Sequence, residues 1–465
     1  MEKEIIEKIE EIVSKDRIFT NKADLYSYGF DASIHHAMPS IVVKPKNAEE
    51  VEEIVKIANE NCIPVIARGA GTALCGQAVP IYGGILLDMT GMNKIKEIRI
   101  EDLYCIVEAG VIYAKLNQAL AKHGFFFPPT PGSGDVCTIG GMIAVNASGM
   151  RAIKYGATRD YVLGLEIVLP YGKVKFGSNT LKNSSGYQVE RLFVGSEGTL
   201  GIITEAILRI APLPEKRAVI LASFNDIVKA GKGVASIIAN RILPSALEIM
   251  DKVCIQAVNK AMNIGLPDVE AILIIEVDGS KTEVKENMEK IVNILEGKAD
   301  KIEFTDDENR MIELWKGRKG VLPSLSRYGK DMISVSLADD MCLPISKIPY
   351  AIKKIQEIAK KYGIVIGTYG HAGDGNLHTK VLINPKDEKS WEKAEKAVDE
   401  VYRMVYKLGG IASGEHGIGI TKAPWINGDI ETMEKIKKAL DPNNIMNPGK
   451  MQQWKKGIIA YLRYK

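Results

Sequence analysis

The 465-residue chain has no CxxC pair. Its six cysteines, Cys62, Cys75, Cys105, Cys137, Cys254 and Cys342, lie far apart. A disulfide framework or an iron–sulfur cluster held by this chain alone is therefore not expected, and small buried thiols in a reducing compartment are. No apolar run is long enough to span a bilayer. The opening MEKEIIEKIEEIVSKDRIF spaces Ile5, Ile6, Ile9, Ile12 and Val13 as one face of a surface helix rather than as the core of a signal peptide, so a cytoplasmic protein is expected. Charge of one sign is also missing: 61 Lys and Arg stand against 58 Asp and Glu, without a basic stripe, which speaks against nucleic acid as a partner.

Histidine is scarce, six in all, and three of the six fall in two short glycine-rich stretches. GHAGDGNLH (370–378) can fold back so that His371 and His378 converge, and SGEHGIG (413–419) sets Glu415 and His416 between flexible glycines. Two imidazoles and a carboxylate suit Zn²⁺, Mn²⁺ or Fe²⁺ with positions left open for substrate and water. From these residues alone a hydrogen-bonded turn fits as well, because the spacing matches no specific metal motif. His35, His36 and His123 lie outside such stretches and read as structural hydrogen-bonders.

The length exceeds what one hydrophobic core organises, so at least two domains are expected. Residues 41–110 alternate short apolar runs with one helical pattern, from IVVKP through EEVEEIVKIANEN and PVIARG to CIVEAG. Residues 128–201 lose regular periodicity and read as loops that line something. From 214 onward strand and helix patterns alternate again, including RAVILASF, ALEIM, EAILIIEVDG and IVIGTYG, with helices expected near 226–240, 252–262, 281–297 and 387–408.

PVIARGAGTALCGQAVP (64–80) places Gly69, Gly71 and Gly76 after a strand pattern, where bare backbone N–H groups can approach an anion. Alone it reads first as a turn, lacking both the Lys-Ser/Thr end of a P-loop and an acidic partner at dinucleotide-fold spacing. PPTPGSGDVCTIGGMIAVNASGMRAIKYGATRDYV (128–162) and VGSEGTLGIITEAILRIAP (194–212) add two more such loops. Three in one domain imply a large, flat, polar-ended ligand threading between backbones.

Together with the C-terminal NPGK, these segments resemble the vanillyl-alcohol oxidase and para-cresol methylhydroxylase flavoproteins, in the branch of glycolate oxidase and D-lactate dehydrogenase. The resemblance runs in order over nearly the whole chain. It implies an α+β protein: a two-lobed FAD-binding domain of the para-cresol methylhydroxylase type at 1–214, an α+β cap domain with an antiparallel sheet for substrate and metal at 215–425, and a segment, 426–465, returning to the FAD domain. It also implies that Gly69, Ala70, Gly71 and Thr72 wrap the FAD pyrophosphate, followed by Gly76 and Gln77. Thr138, Gly141, Asn146, Ser148 and Gly149 would line the flavin, Glu197, Gly201 and Ile203 would complete the site, and Asn447 would reach back to it. With no histidine in these loops FAD is expected to be noncovalent, Cys75 being the residue that could attach it.

By the same resemblance His371, His378 and Glu415 bind a divalent metal, zinc, manganese or iron, and His416 is the base. ELWKGRKGVLPSL (313–325) supplies Trp315, Lys316, Arg318 and Lys319, of which Arg318 would take the substrate carboxylate through its planar fork. The implied reaction oxidises a D-2-hydroxy acid, D-lactate or glycolate ahead of D-2-hydroxyglutarate, to the 2-oxo acid. Some relatives acting on larger dicarboxylates carry an amide where this chain has Lys380, and Lys330 could assist a second carboxylate. Electrons would pass to an iron–sulfur subunit, an electron-transfer flavoprotein or a quinone pool, through a partner that could hold the protein at the inner face of a membrane. A homodimer is compatible with these expectations. The rival functions are a non-redox enzyme like alkylglycerone-phosphate synthase and a flavin-binding subunit without catalysis.

Overall fold

Asn47 ends an extended stretch and caps the helix Ala48–Glu60, accepting from Glu50 N–H at 2.8 Å. The helix turns Val51, Ile54, Val55 and Ala58 onto a four-stranded sheet in which Ile41–Val43, Ile85–Asp88 and Val65–Arg68 run parallel. The N-terminal helix, Lys3–Ile12, buries Ile5 and Ile9 in the same core. The computed structural model from which these elements are taken describes residues 2–451.

Its described residues form two compact units. The first comprises 2–147, 157–213 and 415–451, and the second 148–156 and 214–414. Besides the four-stranded sheet, the first unit holds a five-stranded antiparallel sheet in which Ile202–Arg209 lies between Tyr104–Glu108 and Val162–Leu169. Each sheet has its own apolar cluster, which gives this unit its two lobes. Residues 128–201 are thus more regular than their glycine content suggests. They contain the helix Ile139–Val145 and the strands Val162–Leu169 and Gly172–Gly177, because VLGLEIVL is buried along almost its whole length and so shows no alternation.

The second unit is a mixed layer of antiparallel sheet and helices. Its strand order is Lys301–Thr305, Lys216–Phe224, Ala271–Gly279, Ala246–Asp251, Val365–His371, Asn376–Ile383 and Ile333–Val335, with Met341–Cys342 also paired to the 376–383 strand. Its helices Ile227–Ala239, Lys252–Met262, Lys281–Leu295 and Glu388–Lys407 fall where the apolar periodicity predicts them. The segment 148–156 belongs to this unit through side chains: Arg151 meets Glu276 at 3.1 Å, and Tyr155 donates to Asp278 at 2.8 Å. Among the described residues no helix is long and apolar enough to cross a membrane.

Candidate active site

GHAGDGNLH is a β-hairpin. Strand Val365–His371 pairs with Asn376–Ile383 in a register that sets Tyr369 opposite His378 and His371 opposite Asn376. His371 follows Tyr369 by two residues, so both imidazoles project from one face as diagonal neighbours. The turn between them needs glycine at 375: its φ is +92°, and a Cβ there would stand 2.0 Å from Leu343 O.

The imidazoles meet at Nε2. His371 Nε2 and His378 Nε2 are 3.4 Å apart, with the rings at 89°. Behind the rings stand two buried carboxylates: Glu248 Oε1 is hydrogen-bonded to His371 Nδ1 at 2.7 Å, and Asp339 Oδ1 lies 3.4 Å from His378 Nδ1 in a charge-pair contact that is not a hydrogen bond. Glu248 stands opposite His371 on the neighbouring strand Ala246–Asp251. It is fully buried, which alone would push its carboxyl up, but the Arg318 guanidinium and His371 outweigh burial and hold it below the ordinary carboxylate value. Arg318 reaches Glu248 Oε2 through Nε at 2.7 Å and Nη2 at 2.5 Å, and lies 4.7 Å from the centroid of the Tyr369 ring. Thus the Arg318 edge expected to face a substrate carboxylate is turned toward Glu248.

Asp340, buried on the same side of this unit, accepts from Asn376 Nδ2 at 2.8 Å and Ser413 Oγ at 2.6 Å. Its carboxylate and a His378 ring nitrogen lie within 4.8 Å of each other. Sequence reasoning missed Glu248, Asp339 and Asp340. The signals present were an acid inside the apolar run ALEIM and a pair of acids before the short strand Met341–Cys342.

These side chains fit a metal. The Nδ1 hydrogen bond to Glu248 leaves the neutral His371 ring with its Nε2 lone pair, which meets His378 Nε2 at 3.4 Å, and two nitrogens that close repel unless a cation or proton sits between them. Two bonds of about 2.0–2.1 Å from one ion at a tetrahedral angle span roughly 3.3–3.4 Å. The chain then runs through Gly414, whose N–H donates to Asp340 O at 2.8 Å, directly into Glu415 and His416. In the first unit His416 Nε2 faces Glu415 Oε1 at 3.5 Å, and His416 O accepts from Gln77 Nε2 at 2.7 Å.

The first unit gathers most of the expected cradle residues. A Cβ on Gly69 would lie 2.1 Å from Thr138 Oγ1, so the loop after strand Val65–Arg68 touches the start of helix Ile139–Val145, which Thr138 caps through Gly141 N–H at 3.3 Å. Gly71 and Gly76 have φ of +67° and +83°. Ala70 and Thr72 sit in the same loop, and Asn146 ends the helix in the left-handed region at φ 53°. Asn447 ties the cradle together, donating to Gln77 O at 2.9 Å and Glu197 O at 2.7 Å. The buried Glu197 carboxylate accepts from Ile418 N–H at 2.6 Å and Gly419 N–H at 2.8 Å, and burial raises its pKa. Gly201 is explained by packing, since a Cβ would meet Ile167 at 2.8 Å, and Ile203 lies in the strand Ile202–Arg209. Ser148 and Gly149 group with the second unit. This bare, N–H-rich cradle suits the pyrophosphate and flat ring of a dinucleotide cofactor.

A two-lobed, α+β first unit of this kind defines an FAD-binding protein of the para-cresol methylhydroxylase type. Two solved structures share the fold: 4-ethylphenol oxidase from Gulosibacter chungangensis, with TM-score 0.79, 19% identity and 98% of each chain covered, and p-cresol methylhydroxylase with substrate bound, with TM-score 0.78, 17% identity and 96% of each chain covered. The chain belongs to the FAD-linked oxidases: the family's FAD binding domain matches residues 39–191, and the C-terminal domain of FAD linked oxidases matches 213–451. Among its relatives, glycolate oxidase subunit GlcD of Bacillus subtilis (strain 168) is 39% identical over 98% of this chain and 99% of its own length. D-lactate dehydrogenase of Archaeoglobus fulgidus is 39% identical over 88% and 91%, and the Arabidopsis thaliana mitochondrial D-lactate dehydrogenase [cytochrome] is 33% identical over 97% and 80%.

Proposed function

We propose that this FAD-linked oxidase oxidises a D-2-hydroxy acid, D-lactate or glycolate, to the 2-oxo acid with the help of a divalent metal. The observation that carries the metal is the pair of Nε2 atoms 3.4 Å apart, with Glu248 hydrogen-bonded behind His371 and Asp339 3.4 Å behind His378. The relatives named for glycolate and D-lactate support the substrate class. His371, His378 and Glu415 would hold the ion, zinc, manganese or iron, with Asp340 as a further oxygen donor.

The ion, when bound, lowers the pKa of a chelated hydroxyl. FAD, held noncovalently by the cradle of Gly69, Thr138, Gln77, Glu197 and Asn447, supplies the acceptor for the C2 hydride. His416 takes the hydroxyl proton; we assign it to Nδ1, since Nε2 faces Glu415. Arg318, fixed by Glu248, presents its Nη1 side to the substrate carboxylate. Electrons then leave through a partner, an iron–sulfur subunit, an electron-transfer flavoprotein or a quinone-linked protein.

The test is anaerobic titration of the purified flavoprotein with D-lactate, L-lactate, glycolate and D-2-hydroxyglutarate, before and after chelation. One D-acid or glycolate should bleach the oxidised flavin, chelator should abolish the bleaching, and a divalent ion should restore it. Flavin that none of the four reduces would sink the proposal.

A further inference from the structure

We infer that Lys380 is a positioning residue for His378, acting through Asp339; the inference rests on the metal-dependent reading above. Lys380 is fully buried in the strand Asn376–Ile383, two residues beyond His378 and therefore on the same face. Its ammonium donates to Asp339, also fully buried, and to Ser336 Oγ at 2.6 Å. The other Asp339 oxygen faces His378 Nδ1 at 3.4 Å. The ammonium thus pins one carboxylate oxygen and leaves the second beside the imidazole, 3.4 Å from Nδ1 as a charge-pair contact.

A buried Lys–Asp pair is weak as a stabilising device, because desolvating both ions offsets most of their attraction. Its placement gives it another use. A carboxylate held beside Nδ1 favours the ring orientation and tautomer that keep the Nε2 lone pair pointed at the ion, and the 3.4 Å separation can shorten to a hydrogen bond once the ion draws on Nε2. Without a cation beside it, a fully buried Asp339 would be costly to keep charged and free to rotate away. The partner imidazole has the tighter version of this arrangement: Arg318 pins Glu248, and Glu248 is hydrogen-bonded to His371 Nδ1 at 2.7 Å. Two cation–carboxylate–imidazole chains, one from a helix and one from the sheet itself, converge on the 3.4 Å gap between the Nε2 atoms.

The experiment is a Co²⁺ titration of the metal-stripped, FAD-loaded full chain, followed through the visible Co²⁺ bands to the red of the flavin. It compares wild type, Lys380→Met and the double variant Asp339→Asn/Lys380→Met, in which no buried charge is left unpaired. FAD content and melting temperature verify folding. Both variants should bind Co²⁺ about 10–100-fold more weakly, with a shifted band pattern that a merely structural role would not produce. Wild-type affinity and an unchanged spectrum in a folded variant would overturn the inference. If Lys380→Met fails to fold, the double variant decides by the same criteria. If the wild type itself takes up no Co²⁺, the metal reading fails, and this inference with it.

Discussion

Arg318 pairs with Glu248 and is proposed to meet the substrate carboxylate, two demands that substitution can separate. Its Nε and Nη2 neutralise the buried Glu248, so Arg318→Met should strand that carboxylate and destabilise the second unit by about 3–5 kcal/mol. Glu248→Gln/Arg318→Met removes both charges and should recover most of the loss in a melting experiment. With D-lactate or glycolate, however, the double variant should stay roughly 100-fold below wild type in kcat/KM, the cost of a charge-assisted contact to the substrate carboxylate. Recovery of turnover along with stability would leave Arg318 with the orienting task alone. Of this cluster only the histidines and Arg318 stand out in the sequence. His371 and His378 are seven apart on one hairpin, so local spacing reveals them. Glu248 reaches His371 across 123 residues, through a strand pairing that no local pattern encodes.

At the scale of elements, the helix Lys252–Met262 shows how a boundary and a buried charge coincide. Asp251 caps it, accepting from Cys254 N–H at 2.9 Å, while its second oxygen accepts from Thr368 N–H at 2.7 Å on the neighbouring strand. Burial pushes this carboxyl up to about 6 from its ordinary 3.8, although the N–H donors oppose the rise. Between those values the folded chain holds a proton that the unfolded chain has released. The contribution of Asp251 to stability therefore grows as the pH falls through about 6 toward 4, and is least above 6. Asp251→Asn abolishes the titration. In denaturant melts the stability difference between wild type and this variant should shift toward the wild type by about 1–3 kcal/mol from pH 7 to pH 4; a difference that stays flat would show that Asp251 is ionised throughout. The helix itself is legible from its period, as are the others of the second unit. The strand Val162–Leu169 is not, because a segment buried on both faces has no alternation to read.

At the scale of the whole molecule, the proposed cofactor residues and the proposed metal-binding histidines fall in different units. The cradle residues Gly69, Thr138, Gln77, Glu197 and Asn447 belong to the first, and the histidines His371 and His378 with their supporting carboxylates belong to the second. That division was open to sequence reading only in outline. The glycine loops and the GHAGDGNLH hairpin are far apart in the chain, but the membership of 148–156 in the second unit depends on Arg151 and Tyr155 finding Glu276 and Asp278. Cofactor and metal should therefore be removable one at a time. Gly69→Ala sets a methyl 2.1 Å from Thr138 Oγ1, so the loop or the helix start must shift. This variant should lose most of its FAD, read as the ratio of flavin to protein absorbance, yet titrate with Co²⁺ as wild type does. Chelation should do the converse, leaving the flavin spectrum in place while turnover disappears. A Gly69→Ala protein that loses Co²⁺ binding together with FAD would mean that the histidine cluster forms only once the cofactor is seated, and that the two units assemble their sites as one.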